Sequence, residues 1–242
     1  MKAVICGANG AMGHHLQASL GNRVAGLVSL DGENHVPKTF ADLGSVGANV
    51  VIDFSHHTAI GDVLAYAREN RCAAVIATTG HTPEEKAQIQ AAAEEIPVFY
   101  AGNMSLGIAI LCRLAKDAAK AFPEADIEIL EVHHNRKVDA PSGTAQMLFD
   151  ALHQVRPEAS ALCGRAGEGK REKDHIGISS LRMGNVVGIH EVHICTPTQT
   201  LTLRHEAHDR AMFADGAVAA AEFVLGKAPG LYTMEDMLEA QA

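Results

Sequence analysis

The chain has 242 residues, of which 47% are hydrophobic and 20% are charged, and its formal net charge is −9 at pH 7. This composition is typical of a globular protein, which excludes a disordered chain and a coiled coil, and no apolar run approaches the ~20 residues of a membrane span. The acidic balance and the lack of tryptophan argue against a nucleic-acid-binding surface.

Short apolar runs alternate with helix-like stretches along the first hundred residues. The runs that predict strands are Ala3–Cys6, Val24–Val28, Val50–Ile52, Ala73–Ile76 and Pro97–Tyr100. The stretches between them, such as Ala59–Glu69 and Pro83–Glu94, predict helices. Strands rich in Val and Ile, each followed by a helix, indicate parallel βαβ units in which helices cover both faces of the sheet.

The order of predicted elements changes after about Asn103. They are a helix at Leu106–Ala121, a strand at Asp126–His134, a helix with apolar residues at Ala145, Leu148, Phe149 and Leu152, strands at Ile176–Leu181, Val186–Ile194 and Gln199–Arg204, and a helix at Ala211–Leu225. The last three strands have no helices between them, so we expect largely antiparallel pairing. We therefore predict a second, α+β domain with a mixed, largely antiparallel sheet; the C-terminal helix fits either domain.

A glycine-rich loop, Gly7-Ala-Asn-Gly10-Ala-Met-Gly13, follows the first strand directly. In such a loop the first glycine permits a tight turn, the second lets the backbone approach a pyrophosphate, and the third allows close packing of helix on sheet. Glycines at such a turn can be purely structural. The strand before the loop and the βα units after it favour dinucleotide binding, which makes the first domain a Rossmann-type parallel-sheet domain.

The residues that would select the coenzyme lie at the end of the second predicted strand. NAD-binding domains usually carry an acidic residue there, which binds the ribose hydroxyls. This strand ends in Val28-Ser29-Leu30-Asp31, where the carboxylate comes late and no arginine stands beside it for a 2′-phosphate. The spacing leaves NADH and NADPH both open.

The densest group of chemically active side chains is Glu131–Ala145. His133, His134, Arg136 and Lys137 place four basic side chains within five residues of a chain whose net charge is −9. A lysine next to a histidine makes the imidazolium release its proton more readily, so this pair suits general acid catalysis.

A predicted helix start follows these basic residues. Ser142 is a plausible N-cap, and Gly143, Thr144 and Ala145 would then present backbone N–H groups without acceptors inside the helix. Basic side chains beside an anion-accepting helix end indicate a substrate with one or more carboxylates.

The segment permits two other interpretations, a metal site and a solvated charge run. Histidine pairs can bind metal, but neither the i, i+4 spacing nor the CxxC pairs of zinc sites are present, so we predict no metal. A solvated charge run is the second interpretation, and the Asp-Ala-Pro-Ser-Gly-Thr turn argues against it because it fixes the backbone where the charges converge.

Motifs along nearly the whole chain resemble those of the bacterial dihydrodipicolinate reductase family. They are Gly7–Gly13, Asp53-Phe54-Ser55, Ala77-Thr78-Thr79-Gly80, Ala101-Gly-Asn103-Met104-Ser105, Glu131–Ala145, Val187-Gly188 with His190-Glu191-Val192, and Gly230-Leu231-Tyr232. The segment His133-His134-x-x-Lys137-x-Asp139-Ala-Pro-Ser-Gly-Thr-Ala is highly specific to that family, whereas the glycine loop alone is not.

The resemblance implies a function and a set of site residues. The family reduces 4-hydroxy-tetrahydrodipicolinate, via dihydrodipicolinate, to tetrahydrodipicolinate with hydride from NADH or NADPH, in lysine and diaminopimelate biosynthesis. His133 resembles the catalytic acid and Lys137 its partner proton donor, and either can be the final donor. The implied substrate-binding residues are His134, Ser142, Gly143, Thr144 and Arg210. The implied coenzyme-binding residues are Gly7, Ala8, Asn9, Gly10, Ala11, Met12, Gly13, Ser29, Ala77, Thr78, Thr79, Ala101, Gly102, Asn103 and Met104.

The resemblance also implies the domain organisation and the assembly. Residues 1–104 would form the dinucleotide-binding domain, 105–213 the substrate-binding and tetramerisation domain, and 214–242 helices that return to the first domain. The family is typically a homotetramer built through the sheet of the second domain. The five scattered cysteines and the lack of a signal-peptide pattern predict a reduced, cytoplasmic protein.

The sequence departs from the family pattern at two places near the coenzyme. Ser29-Leu30 stand where many relatives have an acidic residue, and His56-His57 stand where a proline often follows Asp-Phe-Ser. Two other functions stay open: an NAD(P)-dependent reductase of another small carboxylated imine or carbonyl compound, and a non-catalytic dinucleotide sensor.

Overall fold

The computed structural model of the chain describes residues 1–240 and divides it into two compact units. The first unit combines residues 1–105 with the C-terminal segment from Arg210, and the second is Leu106–Asp209. The strands are β1 (Ala3–Cys6), β2 (Val24–Val28), β3 (Val50–Asp53), β4 (Ala73–Ile76), β5 (Pro97–Tyr100), β6 (Asp126–His133), β7 (Ser160–Cys163), β8 (His175–Arg182), β9 (Gly188–Cys195), β10 (Thr200–Ala207) and β11 (Gly230–Tyr232). The helices are α1 (Ala11–Leu20), α2 (Phe40–Leu43), α3 (Ile60–Glu69), α4 (Pro83–Ala93), α5 (Leu106–Ala121), α6 (Gly143–His153), α7 (Ala211–Val224) and α8 (Met234–Glu239).

The first unit is built on a six-stranded sheet in the order β11-β5-β4-β3-β1-β2, and every pairing is parallel. All four residues of β1 are buried, because helices cover both faces of the sheet. Helices α3 and α4 share a core with Val4 and Cys6 on one face, and α1 and α7 pack against each other and on the sheet. The parallel α/β fold predicted for this part of the chain is confirmed. Because all strands run in one direction, the loops after β1, β3, β4 and β5 emerge at the same edge.

Local signals fix where the helices of the predicted fold begin and end. Thr82 caps α4 in a capping box with Glu85, and Pro83 occupies the first turn, where its missing N–H costs no hydrogen bond. Helix α5 ends at Ala121, as predicted, because Pro123 cannot continue the hydrogen-bond ladder. Among residues 1–240, none of the helices combines the length and the apolar character needed to cross a membrane.

The second unit contains a five-stranded mixed sheet in the order β10-β9-β6-β8-β7. The mixed sheet is confirmed, but the prediction that its strands pair largely antiparallel is corrected. Strand β9 pairs antiparallel with β6 and β10, whereas β8 lies parallel to both β6 and β7. The reason is that two connections carry the chain back to the same end of the sheet, α6 between β6 and β7 and the loop 164–174 between β7 and β8, so that both later strands run in the direction of β6. The short strand β7 was not among the predicted elements.

Both helices of the second unit cover one face of its sheet. Helices α5 and α6 share a core with the β-strand residues Ile127, Ile129, Ile178 and Val192. Because side chains alternate along a strand, residues 131 and 133 of β6 continue this covered face beyond Ile129. Glu131 and the predicted site residue His133 lie at this end of the helix-covered face.

The boundaries between the units differ by a few residues from the predicted ones. The predicted change at 213/214 falls inside α7, which is one continuous helix that starts after its N-cap, Arg210. Helix α7 contacts α1, β4 and β5, all elements of the first unit. The contacts therefore place the whole of α7 in the first unit, together with Arg210.

Candidate active site

The glycine loop of the first unit has a backbone that only glycine can supply. Gly7 adopts a φ of 85°, and a Cβ built on it would lie 2.5 Å from the Phe54 carbonyl oxygen. A Cβ on Gly13 would overlap the carbonyl oxygens of Gly7 and Ala8. Helix α1 then starts after Gly10, which carries no capping side chain, so the first amides of the helix have no acceptor within it. The loop fits a pyrophosphate held by backbone N–H groups.

Two further loops predicted to bind the coenzyme lie at the same edge of the sheet. Residues 77–79 follow β4 and residues 101–104 follow β5. They lie side by side, because a Cβ on Gly102 would be 3.7 Å from Cγ2 of Thr79. The Thr78 hydroxyl donates to the Asp53 carbonyl at 3.4 Å, which ties the first of these loops to β3. The three loops together offer a crevice edge of the kind that dinucleotides occupy in open parallel sheets.

Asp31, which the sequence spacing did not select, lies closer to the glycine loop than the spacing suggests. Its carboxylate accepts a hydrogen bond from the Asn9 side chain at 2.6 Å and from the Glu33 backbone at 3.0 Å. The Glu33 amide and then Asn9 hold the pKa of Asp31 below its usual value. Ser29, the residue predicted to contact the coenzyme here, is 5% exposed. Asp31 is therefore the ionised group that the structure presents beside Asn9.

The basic segment of the second unit begins at the end of β6. His133 is the last residue of the strand and is 8% exposed. Lys137 follows in the loop, and its ammonium pairs with the Asp139 carboxylate at 2.8 Å. Burial is the largest cause that lowers the pKa of His133, and the nearby charge of Lys137 lowers it further. The carboxylate of Glu131 acts in the opposite direction. The structure thus brings His133 and Lys137 into one electrostatic environment, as the sequence predicted.

The predicted N-cap of α6 is confirmed. The Ser142 hydroxyl accepts a hydrogen bond from the Ala145 amide at 3.2 Å, and α6 begins at Gly143. No side chain would crowd a ligand at Gly143, because a Cβ built there meets nothing within 4 Å. The Gly143 amide occupies the first turn, where the helix offers it no acceptor. This helix end is an anion-accepting surface a few residues from the basic segment.

A buried network of Glu131, Arg182 and His190 lies behind His133, and no role was predicted for these three residues from the sequence. Glu131, fully buried, accepts a hydrogen bond from Nδ1 of His133 at 2.5 Å. Arg182 donates to the same carboxylate at 2.9 and 2.7 Å. His190 is 4% exposed and its Nε2 lies 3.2 Å from the Ser142 hydroxyl. The signal in the sequence is the alternation along β6, which places Glu131 on the same face as His133.

Two predicted substrate-binding residues remain to be located, Arg210 and His134. Arg210 belongs to the first unit, where it is exposed and forms the N-cap of α7. His134 is half-buried and follows His133 directly. Among residues 1–240, no three side chains of the metal-binding types come together as a candidate metal site.

Comparison with known proteins gives consistent matches over nearly the whole chain. The family model described as "Dihydrodipicolinate reductase, N-terminus" matches residues 1–104, and the one described as "Dihydrodipicolinate reductase, C-terminus" matches residues 107–238. The 4-hydroxy-tetrahydrodipicolinate reductase of Caldanaerobacter subterraneus subsp. tengcongensis is 42% identical over 99% of this chain and 98% of its own. The protein of the same name from Clostridium novyi is 37% identical over 99% of both chains.

The fold also matches solved structures. A dipicolinate-bound dihydrodipicolinate reductase from Paenisporosarcina sp. TG-14 superposes with a TM-score of 0.79 at 24% identity, covering 96% of this chain and 97% of that one. At that identity the likeness concerns the fold, and the sequence matches carry the family assignment.

Proposed function

The chain belongs to the dihydrodipicolinate reductase family, and from this premise we propose that it reduces 4-hydroxy-tetrahydrodipicolinate, via dihydrodipicolinate, to tetrahydrodipicolinate with NADH or NADPH, as a step of lysine and diaminopimelate biosynthesis. The overall reaction consumes one hydride and one proton and releases water. The observation that carries the proposal is that Glu131, at the end of β6, contacts both the proton-donating candidate His133 and the Ser142 amide at the start of α6, while Lys137 lowers the pKa of the same histidine. A carboxylated heterocyclic substrate needs a proton donor and an anion-binding helix end close together.

The first unit binds the coenzyme, which supplies the hydride. The amides at the start of α1 would hold its pyrophosphate, and the carboxylate of Asp31 is available to the ribose hydroxyls. Residues 77–79 and 101–104 would complete the site along the same sheet edge. The glycine loop supports this fit, because a side chain at Gly7 or Gly13 would collide with the backbone atoms that shape the turn around the pyrophosphate.

The second unit binds the substrate through its carboxylates. The N–H groups of Gly143 and Thr144 lie at the positive end of the α6 dipole, and Ser142 keeps the turn in place. His134 and Lys137 would add positive charge, which is needed locally because the chain as a whole carries −9. Arg210 is proposed as a further carboxylate ligand on the family pattern alone.

His133 and Lys137 supply the proton. Burial first, and then the neighbouring cations, keep the pKa of His133 below its usual value, so that a protonated His133 gives up its proton readily. Lys137 is held by Asp139 at 2.8 Å, which orients its ammonium and balances its charge before an anionic ligand arrives. Both side chains therefore serve the same proton-transfer step.

The test follows the loss of reduced-nicotinamide absorbance with freshly generated substrate and each coenzyme in turn. Lys137→Ala should lower kcat by about 100-fold or more, the usual cost of losing a donor that acts in the transition state. Lys120→Ala is the matched control, because Lys120 is a 61% exposed lysine of the same unit. Near-wild-type turnover by the Lys137 variant refutes the assignment of that residue.

The same assay separates the two other functions. Turnover of a different carboxylated imine or carbonyl compound, and not of this substrate, identifies another reductase. Tight coenzyme binding without turnover of any compound in the panel identifies a dinucleotide sensor.

We also propose that the protein is a cytoplasmic homotetramer assembled through the sheet of the second unit. The face opposite α5 and α6 is covered by neither helix of that unit and carries Leu181, which is 42% exposed, and the ion pairs of Arg204 with Glu191 and Glu206. Light scattering after gel filtration should give the mass of four chains. Leu181→Glu should lower it, whereas Leu114→Glu on α5 should not.

A further inference from the structure

The buried carboxylate behind His133 has a geometry that assigns it a role in the reaction. Resting on the proposed function, we propose that Glu131, clamped by Arg182, is a positioning residue that fixes His133 as the Nδ1-protonated tautomer and so keeps Nε2 for the substrate. Glu131 contacts neither substrate nor coenzyme in this proposal. It acts through His133.

Strand geometry brings the pair together. Glu131 and His133 are two residues apart on β6, so both side chains project from the helix-covered face. The Glu131 carboxylate is fully buried, and one oxygen lies 2.5 Å from Nδ1 of His133. The contact holds the imidazole ring at one edge and directs the other nitrogen away from the carboxylate.

Arg182 and the start of α6 keep Glu131 in place. In the parallel register Arg182 stands beside His133, and its two terminal nitrogens reach the two Glu131 oxygens at 2.9 and 2.7 Å. The same guanidinium donates to the Asp139 carbonyl at 2.6 Å, and the Ser142 amide donates to Glu131 at 3.2 Å. The clamp therefore links the positioning carboxylate to the loop and helix start that would hold the substrate.

These hydrogen bonds decide the charge of the carboxylate. Burial raises the pKa of Glu131, but the hydrogen bonds from Arg182, Ser180 and His133 outweigh burial and lower it to about 2. Glu131 is thus ionised at neutral pH and can only accept hydrogen bonds. Nδ1 of His133 must then carry the proton, whether the ring is neutral or charged.

The structure leaves space at Nε2. A Cβ built on Gly188 would lie 3.2 Å from Nε2 of His133, so a residue larger than glycine would crowd this nitrogen. The charged and titratable groups that face the ring are Glu131 on β6, Arg182 on β8, His190 on β9 and Lys137 in the loop after β6. Burial, and repulsion from His133, lower the pKa of His190 to about 4, so His190 is a neutral neighbour.

The variant Glu131→Gln tests the proposal because an amide cannot satisfy both partners. Its single oxygen is needed by Arg182, which leaves an N–H₂ group facing Nδ1 of His133. A donor there favours the Nε2-protonated tautomer, the wrong one for the proposed role. Glu128→Gln is the matched control, because Glu128 also lies on β6 but its side chain is on the opposite face, paired with Arg165.

The first measurement is the ¹⁵N spectrum of imidazole-labelled protein, in which the His133 signals are assigned by comparison with His133→Asn. We expect protonated Nδ1 in the wild type and in Glu128→Gln, and protonated Nε2 in Glu131→Gln. An Nε2-protonated His133 in the wild type overturns the proposal. The spectrum requires no turnover, so it tests the role of Glu131 even if the chain does not catalyse the proposed reaction. If Glu131→Gln does not fold, the spectrum of the wild type still shows which nitrogen of His133 carries the proton.

The second measurement is the pH profile of turnover. Glu131→Gln should lower kcat by about 100-fold, at the low end of what a positioned acid contributes, while KM changes less. The limb that reports protonated His133 should move to lower pH, because the charge that favours the imidazolium is gone. Unchanged kcat and an unmoved limb in a folded variant also overturn the proposal.

Discussion

Substituting Gly216 by alanine tests how tightly α7 is held in the first unit. A Cβ on Gly216 would overlap the Met104 carbonyl oxygen and lie 2.9 Å from its carbon, where ordinary contact begins at 3.4 Å. The obstacle is backbone and cannot rotate away. Helix α7 cannot shift freely either, because Ala214, Ala217 and Ala221 on the same helix have no exposed surface.

The expected effect follows from two opposing terms. Alanine in place of glycine favours a helix by about 1 kcal/mol, whereas forcing atoms into a filled core costs about 1–3 kcal/mol or more. The overlap at Gly216 is with main chain, so we place the cost at the upper end and expect the free energy of unfolding to fall by about 2 kcal/mol. Met104 belongs to a predicted coenzyme loop, so NADH affinity should fall as well.

Gly61 on α3 provides the matched control. It is also a helical glycine of the first unit, but it is exposed, and the nearest atom to its Cβ would be the Gln88 side-chain oxygen at 3.7 Å. Gly61→Ala should raise the free energy of unfolding by about 0.5–1 kcal/mol. Both variants are compared by urea unfolding. The reasoning is refuted if Gly216→Ala is as stable as the wild type or as Gly61→Ala.

Three further predictions concern pH, coenzyme choice and a half-buried arginine. Burial is the main reason that the pKa of His190 falls from 6.5 to about 4 on folding, so the free energy of unfolding should drop by about 3 kcal/mol as pH falls from 6.5 to 4. Unfolding curves of His190→Gln should lack this pH-dependent loss of stability. A pH dependence equal to that of the wild type contradicts the prediction. Asp31→Asn should shift the ratio of kcat/KM values towards NADPH by about tenfold, because a carboxylate repels a 2′-phosphate and an amide does not; equal ratios rule out a role for Asp31. Arg156 donates hydrogen bonds to the carbonyls of Phe122 at 2.5 Å and Ala125 at 2.8 Å. Arg156→Ala should therefore lower the free energy of unfolding, measured with urea, by about 1–3 kcal/mol. A variant as stable as the wild type contradicts a stabilising role for these two hydrogen bonds.

Elements with strong local signals could be predicted from the sequence. Helix α5 has the predicted bounds because its apolar spacing is regular and Pro123 stops it. Strand β7 was missed because it has four residues, most of them exposed, and its place in the sheet comes from pairing with β8 rather than from its own pattern. Strand β8 was found, but its direction relative to β6 depends on the crossover through α6 and on the return of the loop 164–174, which no local pattern encodes.

The same distinction applies to the candidate site. His133, Lys137 and Ser142 could be grouped because they are close in sequence, and the structure keeps them close. Arg182 contacts Glu131 across 51 positions of sequence, so no local pattern could pair them. Such long-range contacts determine the charge and orientation of the predicted residues. The proton-donating residues could therefore be inferred from the sequence, whereas the side chains that hold them in place could not.

The first unit takes its strands from both ends of the chain, and this affects how the protein can be made. On the ribosome, residues 1–105 emerge long before α7 and β11, which pack on α1 and pair with β5. Until α7 and β11 have been synthesised, one edge of the nascent sheet and the apolar surface under α7 lack their covering. The intervening segment Leu106–Asp209 has all its strands and helices consecutive and can acquire its structure earlier. Residues 1–105 are therefore translated before the second unit but obtain all their packing partners only after it.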